Sequence, residues 1–238
     1  MKLTDDDVDF LGSCFPSLSL DKSKSEITGI LSFEASYDSE SNQFLILGSG
    51  IQNSIGGIIL KGKYSINIQL DVPTARLPAL HLDPKEVEIS PERHINTNCT
   101  GCLCGPAEEM RYAQTQISLQ TFISNLVIPF LYGQVYYDQY KCWPWGEYSH
   151  GAAGVLESYM NNNGISLEGC IKRLQEDSSW KTIRTLLQQK WDIKGHTPCF
   201  CKRHDHIRRC HPDAWKALNR MRNDIKKNRI NIDKIEKK

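Results

Sequence analysis

The chain has 238 residues, 39% of them hydrophobic and 24% charged. This is the composition of an ordinary globular protein with room for one substantial core and a smaller second unit, and it excludes a disordered or fibrous chain. The net charge of +1 hides an asymmetry: residues 202–238 hold 13 Lys/Arg against 5 Asp/Glu, so a basic end follows a mildly acidic body. Such an end suits an acidic partner, nucleic acid included, or docking on the chain's own body.

The opening Met1-Lys2-Leu3-Thr4-Asp5-Asp6-Asp7 is acidic and lacks an apolar run, so a secretory leader is not expected. No stretch approaches the roughly 18 apolar residues of a membrane span. A cytoplasmic location with no membrane partner is the expectation. Most of the nine cysteines stand in tight clusters rather than in a spread framework, which points to metal or catalysis rather than to disulfides.

After a polar, Ser-rich opening, Ile27, Leu31, Phe33, Ala35 and Tyr37 alternate with polar neighbours at the period of a half-buried strand. Further strands are expected at Phe44–Leu47, closed by Gly48 and Gly50, at Ile58–Leu60, and at Tyr64–Val72. Short gaps make an antiparallel four-stranded meander the natural arrangement. Pro73, Pro78, Pro84 and Pro91 then exclude regular helix or central sheet over 73–93. Beyond residue 115 the period becomes helical. Leu119, Phe122, Ile123, Leu126, Val127 and Phe130 form one stripe, with Pro129 marking a kink or end. An aromatic loop is expected over Tyr136–Tyr148, and further helices around Gly154–Met160, at Leu167/Ile171/Leu174 and at Trp180/Ile183/Leu186/Leu187/Trp191. A last helix opens at Pro212, with Trp215, Leu218, Met221 and Ile225 on one side and Arg/Lys on the other. Strands first and helices later give an α+β fold class.

The densest chemistry lies at His94-Ile95-Asn96-Thr97-Asn98-Cys99-Thr100-Gly101-Cys102-Leu103-Cys104. A cysteine thiolate can accept an acyl group as a thioester and release it to an amine. A nearby Asn can brace the loop or donate its amide to an oxyanion, a contact typically worth about 3 kcal/mol. The same residues admit a metal site built from Cys99, Cys102, Cys104 and His94, or buried thiols with no chemistry.

This segment resembles the ubiquitin-conjugating enzymes, which carry His-Pro-Asn followed by Gly-x-aliphatic-Cys, with the cysteine eight residues after the Asn. Asn96 to Cys104 is eight residues; Ile95 stands where the family has Pro. The run Trp143-Pro144-Trp145-Gly146-Glu147-Tyr148-Ser149-His150-Gly151, with Gly154 following, looks like the region after the active site in bacterial members of the group. Those are encoded beside antiphage nucleotidyltransferases of CBASS systems or with bacterial ubiquitin-like modifiers. The resemblance implies a four-stranded antiparallel sheet flanked by helices and a nucleophile at Cys104, with Cys102 the competitor. It makes Asn96 a brace or oxyanion donor and His94 a loop-holding residue, and it puts His150 within possible reach of the thiol. It also implies a ubiquitin-like protein or CBASS nucleotidyltransferase as the carried partner, a separate activating enzyme, and a target protein. The other reading is a non-catalytic adaptor on the same fold, using its tail to bind protein or nucleic acid.

Near the end, Pro198-Cys199-Phe200-Cys201, eight residues, then Cys210-His211 supply four soft or borderline ligands of the kind that close structural zinc sites. The spacing resembles the SEC-C zinc motif, although Lys202-Arg203-His204 replaces its usual glycine-rich turn, and His204 or His206 could stand in for His211. The expected organisation is residues 1–162 as a conjugating-enzyme-like domain and 163–238 as a helical extension with Zn2+ and a basic terminal helix. Nucleic acid is not the expected partner of that helix, whose charges are read as a solvated face.

Overall fold

The computed structural model describes residues 1, 3–48, 56–72, 76–115, 117–161, 167–201, 203 and 205–235. The chain is α+β and forms two compact units, one of Met1–Cys104 with Tyr112–Glu147, the other of Gly105–Arg111 with Tyr148–Lys238. The expected division at 162/163 lies outside the described residues. The residues just before it, Ala152–Tyr159, pack into the core of the second unit.

In the first unit, α1 (Asp5–Cys14) opens on a capping box: Asp7 N–H donates to Thr4 Oγ1, while the Asp7 carboxylate accepts from Thr4 N–H. The acidic run Asp5-Asp6-Asp7 is therefore a helix start, with its carboxylates in the first turn. Five antiparallel strands follow, not four. They are β1 (Leu18–Asp21), β2 (Glu26–Asp38), β3 (Gln43–Ile46), β4 (Ile58–Gln69) and β5 (Ala79–Leu82). Strand β4 runs beside β2 from Glu26↔Gln69 to Tyr37↔Ile58. The opposite edge of β2 is shared, with β1 opposite residues 26–29 and β3 opposite 35–38. The two strands expected at 58–60 and 64–72 are one, because Lys61-Gly62-Lys63 continues the ladder rather than turning. A Cβ at Gly62 would stand 2.3 Å from the Phe33 ring, so the glycine makes room for its cross-strand partner. Strand β5 lies at the sheet edge, with β4 as its strand partner and an isolated bridge from His81 to Thr100 on its other side.

Alternation puts Ile27, Leu31, Phe33 and Ala35 on one face with Leu60, Tyr64, Ile66 and Ile68, all buried. The chain leaves the sheet through α2 (Pro106–Thr115), and a long helical rod then joins that core. The rod comprises α3 (Leu119–Phe122), a π turn at Ile123–Val127, and α4 (Ile128–Tyr140). Leu119, Phe122, Ile123, Leu126, Val127 and Phe130 are all buried, as their spacing predicts. Each such side chain contributes about 1.5–3 kcal/mol by leaving water. Pro129 does not end the helix. The π turn before it relaxes the ladder where proline lacks its N–H, so Tyr136, Tyr137 and Tyr140 are helical rather than in a loop. Tyr132 Oη donates to Ile58 O at 2.6 Å and pins α4 to β4.

The second unit is helical, with α5 (Ala152–Asn161), α6 (Leu167–Gln175), α7 (Trp180–Gln188), α8 (Ile207–Cys210) and α9 (Pro212–Lys227). Its core joins Leu156, Ile171, Leu174, Ile183 and Leu187 to Leu218, Met221 and Ile225 of α9. The first half of α2 belongs here as well, held by an Arg173–Glu109 ion pair at 3.1 Å. Helix α7 stops at Gln188, so Trp191 is not on its buried stripe and stands exposed. No described helix is long and apolar enough to cross a membrane.

Candidate functional site

A short 3-10 turn at Pro91–Arg93 delivers the chain to His94, whose φ of +52° reverses its direction. Arg93 is buried and fixes this turn to α4. Its guanidinium donates to Gln134 Oε1 (3.3 Å) and to the Asp138 carboxylate, while Gln134 Nε2 donates back to Arg93 O at 2.7 Å. The guanidinium also lies 4.9 Å from the Tyr137 ring centroid.

From His94 the chain makes a narrow hairpin. Asn96 N–H donates to Thr100 O (2.9 Å), Ile95 pairs with Gly101, and Cys102 N–H donates to His94 O (2.7 Å). Cys99 occupies the left-handed region at the turn, with φ +64°. The hairpin hangs on the sheet edge through Gly101 N–H to Leu80 O (2.9 Å) and Leu82 N–H to Cys99 O (3.1 Å). The His/Asn segment and the Gly-Cys segment of the motif thus lie side by side.

The side chains divide by role. Asn96 Nδ2 donates to Thr100 O (3.2 Å) and Thr100 Oγ1 (3.0 Å), so its amide braces the hairpin. His94 Nε2 lies 2.9 Å from Glu147 Oε1, and its ring meets Trp143 edge-on at 4.7 Å between centroids. Trp143 is buried and donates through Nε1 to Glu92 O (2.9 Å). Cys102 is exposed, its Sγ 3.8 Å from Cys104 O; Cys104 is half-buried against the sheet core. Sequence reading missed Glu147 as the partner of His94, and Arg93 and Gln134 as the clamp behind it. His150 is exposed and lies in the second unit.

The second candidate is a metal centre. Cys199, Cys201, Cys210 and His211 each offer a ligand atom, all within 4.8 Å of one another, with Cys201 Sγ and Cys210 Sγ 3.3 Å apart. Local backbone bonds build the knot. Cys199 N–H donates to Asp205 O and Ile207 N–H to Thr197 O (both 2.9 Å), folding the segment back on itself. One turn of α8 then raises Cys210, and His211 begins α9 with its ring stacked 5.9 Å from Phe200. Burial pushes the Cys199 thiol up to about 12. Cys201 is held below the ordinary thiol value: burial opposes this, but the Arg203 N–H and the thiols of Cys210 and Cys199 donate to its sulfur and prevail. Zinc takes ligands at about 2.3 Å from sulfur and 2.0–2.1 Å from nitrogen, which sets tetrahedral ligand atoms about 3.5–3.8 Å apart. The cluster spans that spacing, so it can hold a metal ion.

Among the described residues no other group of three or more Cys, His, Asp or Glu converges in this way, so the structure does not bring Cys99, Cys102, Cys104 and His94 together as such a group. His206 is outside the converging set, and His204 lies outside the described residues. The basic helix is less free than its charge suggests. Lys216 pairs with Asp213 (2.8 Å), Arg220 lies 3.8 Å from Asp224, and Arg222 is buried on Asp192.

Compared with known proteins, the chain matches no family model, no curated protein and no solved structure.

Proposed function

We propose that the protein is a cysteine acyl carrier of the ubiquitin-conjugating type, with Cys104 as nucleophile and Cys102 as its neighbour. The observation that supports this most is the hairpin of residues 94–102, in which Cys102 N–H bonds to His94 O and Ile95 pairs with Gly101. It folds the two halves of the His/Asn and Gly-x-Leu-Cys motif against each other at the edge of an antiparallel sheet. In the first step the Cys104 sulfur attacks the carbonyl of a protein C-terminus held as a thioester by a separate activating enzyme. The new S–C bond forms as the old one breaks, and the activating enzyme's thiolate leaves. In the second, a target amine attacks, an N–C bond forms, Cys104 leaves as thiolate and the amine's proton passes to solvent. Asn96 and the His94–Glu147 pair hold the loop. The carried protein is a ubiquitin-like modifier or a CBASS nucleotidyltransferase, and the setting is antiphage defence in the cytoplasm. Zinc, held by Cys199, Cys201, Cys210 and His211, supplies structural cross-linking of the second unit and takes no part in acyl transfer.

The test is incubation with ATP, a ubiquitin-like modifier or a CBASS nucleotidyltransferase, and its activating enzyme. A reductant-sensitive adduct should form, vanish in Cys104→Ala, and become reductant-resistant in Cys104→Ser, because the oxyester is not cleaved by thiols. An adduct that persists in Cys104→Ala and is lost in Cys102→Ala moves the nucleophile by two residues. No adduct in the wild type hands the fold to the adaptor reading.

A further inference from the structure

Helix α9 carries a buried arginine that organises an exposed loop. Arg222 is 3% exposed, and its guanidinium donates to Lys190 O (3.2 Å), Gln189 O (3.5 Å), Asn223 Oδ1 (3.1 Å) and the Asp192 carboxylate. Lys226 Nζ adds a bond to Lys190 O at 2.8 Å. At the far end of the loop, Trp215 Nε1 and Asn219 Nδ2 donate to Ile193 O (2.7 and 3.2 Å), and Ile193 N–H donates to Asn219 Oδ1 (2.9 Å). Side chains of α9 therefore fix residues 189–193 at both ends. What the loop presents is Trp191, 73% exposed, the most exposed large apolar side chain among the described residues.

This arrangement has an energetic cost. A desolvated guanidinium is unfavourable unless fully satisfied, and Arg222 Nε has no hydrogen-bond partner. The return is a loop held in one conformation with an indole outward, the preorganised aromatic anchor typical of binding hot spots. The charge around the ring gives the sign of its partner. The loop's one carboxylate, Asp192, is paired with Arg222 though its side chain stays 72% exposed, and three lysines outnumber it. Lys190 Nζ lies 5.2 Å from the Trp191 ring centroid, and Lys194 and Lys226 are exposed on the loop and on α9. Lys190 already lies over a face of the ring that a stacked nucleobase would have to share with it, whereas an apolar side chain needs only the remaining exposed surface of the indole while the lysines attract flanking carboxylates.

We propose that the Lys190–Trp191 loop is a docking site for an acidic segment of a partner protein, with Trp191 taking an apolar side chain and Lys190, Lys194 and Lys226 taking the flanking carboxylates. The test uses the full chain and a fluorescein-labelled 15-residue peptide of glutamates around a Leu-Phe-Leu centre. Controls are a lysine-for-glutamate version and a 15-nucleotide oligo-dT. Binding followed by fluorescence polarisation should be specific to the acidic peptide. It should weaken at least ten-fold in Trp191→Ala, a variant whose exposed site leaves folding intact, and in the Lys190→Glu/Lys194→Glu double variant, which leaves the Lys226 bond to the loop in place. Failure of the acidic peptide to bind overturns the proposal, as does equal binding to wild type and Trp191→Ala. Tighter, Trp191-dependent binding of oligo-dT also overturns it and identifies a single-stranded nucleic-acid site.

Discussion

Replacing Cys210 with serine tests the metal centre directly. The four ligand atoms lie within 4.8 Å of one another, and the closest sulfurs are 3.3 Å apart. The tetrahedral spacing of about 3.5–3.8 Å is thus reached by side-chain shifts of about 1 Å, and little of the binding energy is spent on reorganisation. Small structural zinc sites contribute on the order of 10 kcal/mol of apparent folding free energy. Serine is a poor zinc ligand, and three ligands leave the site open. Cys210→Ser should therefore cost the second unit at least about 4 kcal/mol, a fall in thermal midpoint of roughly 10 °C or more. Metal analysis of the purified protein should find one zinc per chain, lost in the variant. Chelator should lower the wild-type midpoint and leave that of Cys210→Ser unchanged. Wild-type protein that purifies without metal and melts at the same temperature with and without chelator would refute the reasoning, as would zinc that survives Cys210→Ser.

Three further outcomes are expected. Asn96→Ala removes two exposed side-chain bonds to Thr100 and should cost about 1–2 kcal/mol in a melt; unchanged stability with transfer slowed 10²–10³-fold would instead make the amide an oxyanion donor. Gly133→Ala places a Cβ 2.1 Å from the Trp143 ring, so it should destabilise the first unit by about 1–3 kcal/mol and disturb the edge-on contact of Trp143 with His94, seen as a shifted imidazole resonance. Burial raises the Cys170 thiol from 9.0 to about 12. The neutral form is thereby favoured in the folded state, and its contribution is complete below pH 9 and lost as pH rises toward 12. Cys170→Ala should flatten that alkaline limb in pH-dependent melts, and an unaltered limb would assign it to other groups.

How legible each part was depended on whether a local signal or a distant partner decides it. Alternation exposed the faces of β2 and β4, because one side of each is water-facing and the other is core. The edge strand β5 escaped, since it is four residues between Pro78 and Pro84 whose pairing is decided by β4 rather than by their own pattern. Lys61-Gly62-Lys63 reads as a turn until Phe33 is known to lie across it. Pro129 reads as a stop until the π turn ahead of it is seen. The candidate metal ligands were legible because Cys-x-Cys-x8-Cys-His lies within thirteen residues and needs only a hairpin and one helical turn to converge. The partner of His94 was not, since Glu147 is 53 residues away. The buried arginines, Arg93 and Arg222, carry no signal that separates them from surface charges.

The two units are folded from interleaved stretches of chain: the first gives way to the second at Gly105, resumes at Tyr112 and yields again at Tyr148. Residues 105–111 are thus a down payment of seven residues on a unit whose remainder comes after residue 147. A chain cut at that point keeps Met110 without the core it packs against and Glu109 without Arg173. Trimming the tail alone therefore leaves part of the second unit attached to the sheet unit. A cleaner separation deletes 148–238 and also replaces Glu109 and Met110 with residues suited to water, so that the cysteine-bearing hairpin is studied without an unpaired carboxylate and a bared apolar side chain on the helix that follows it.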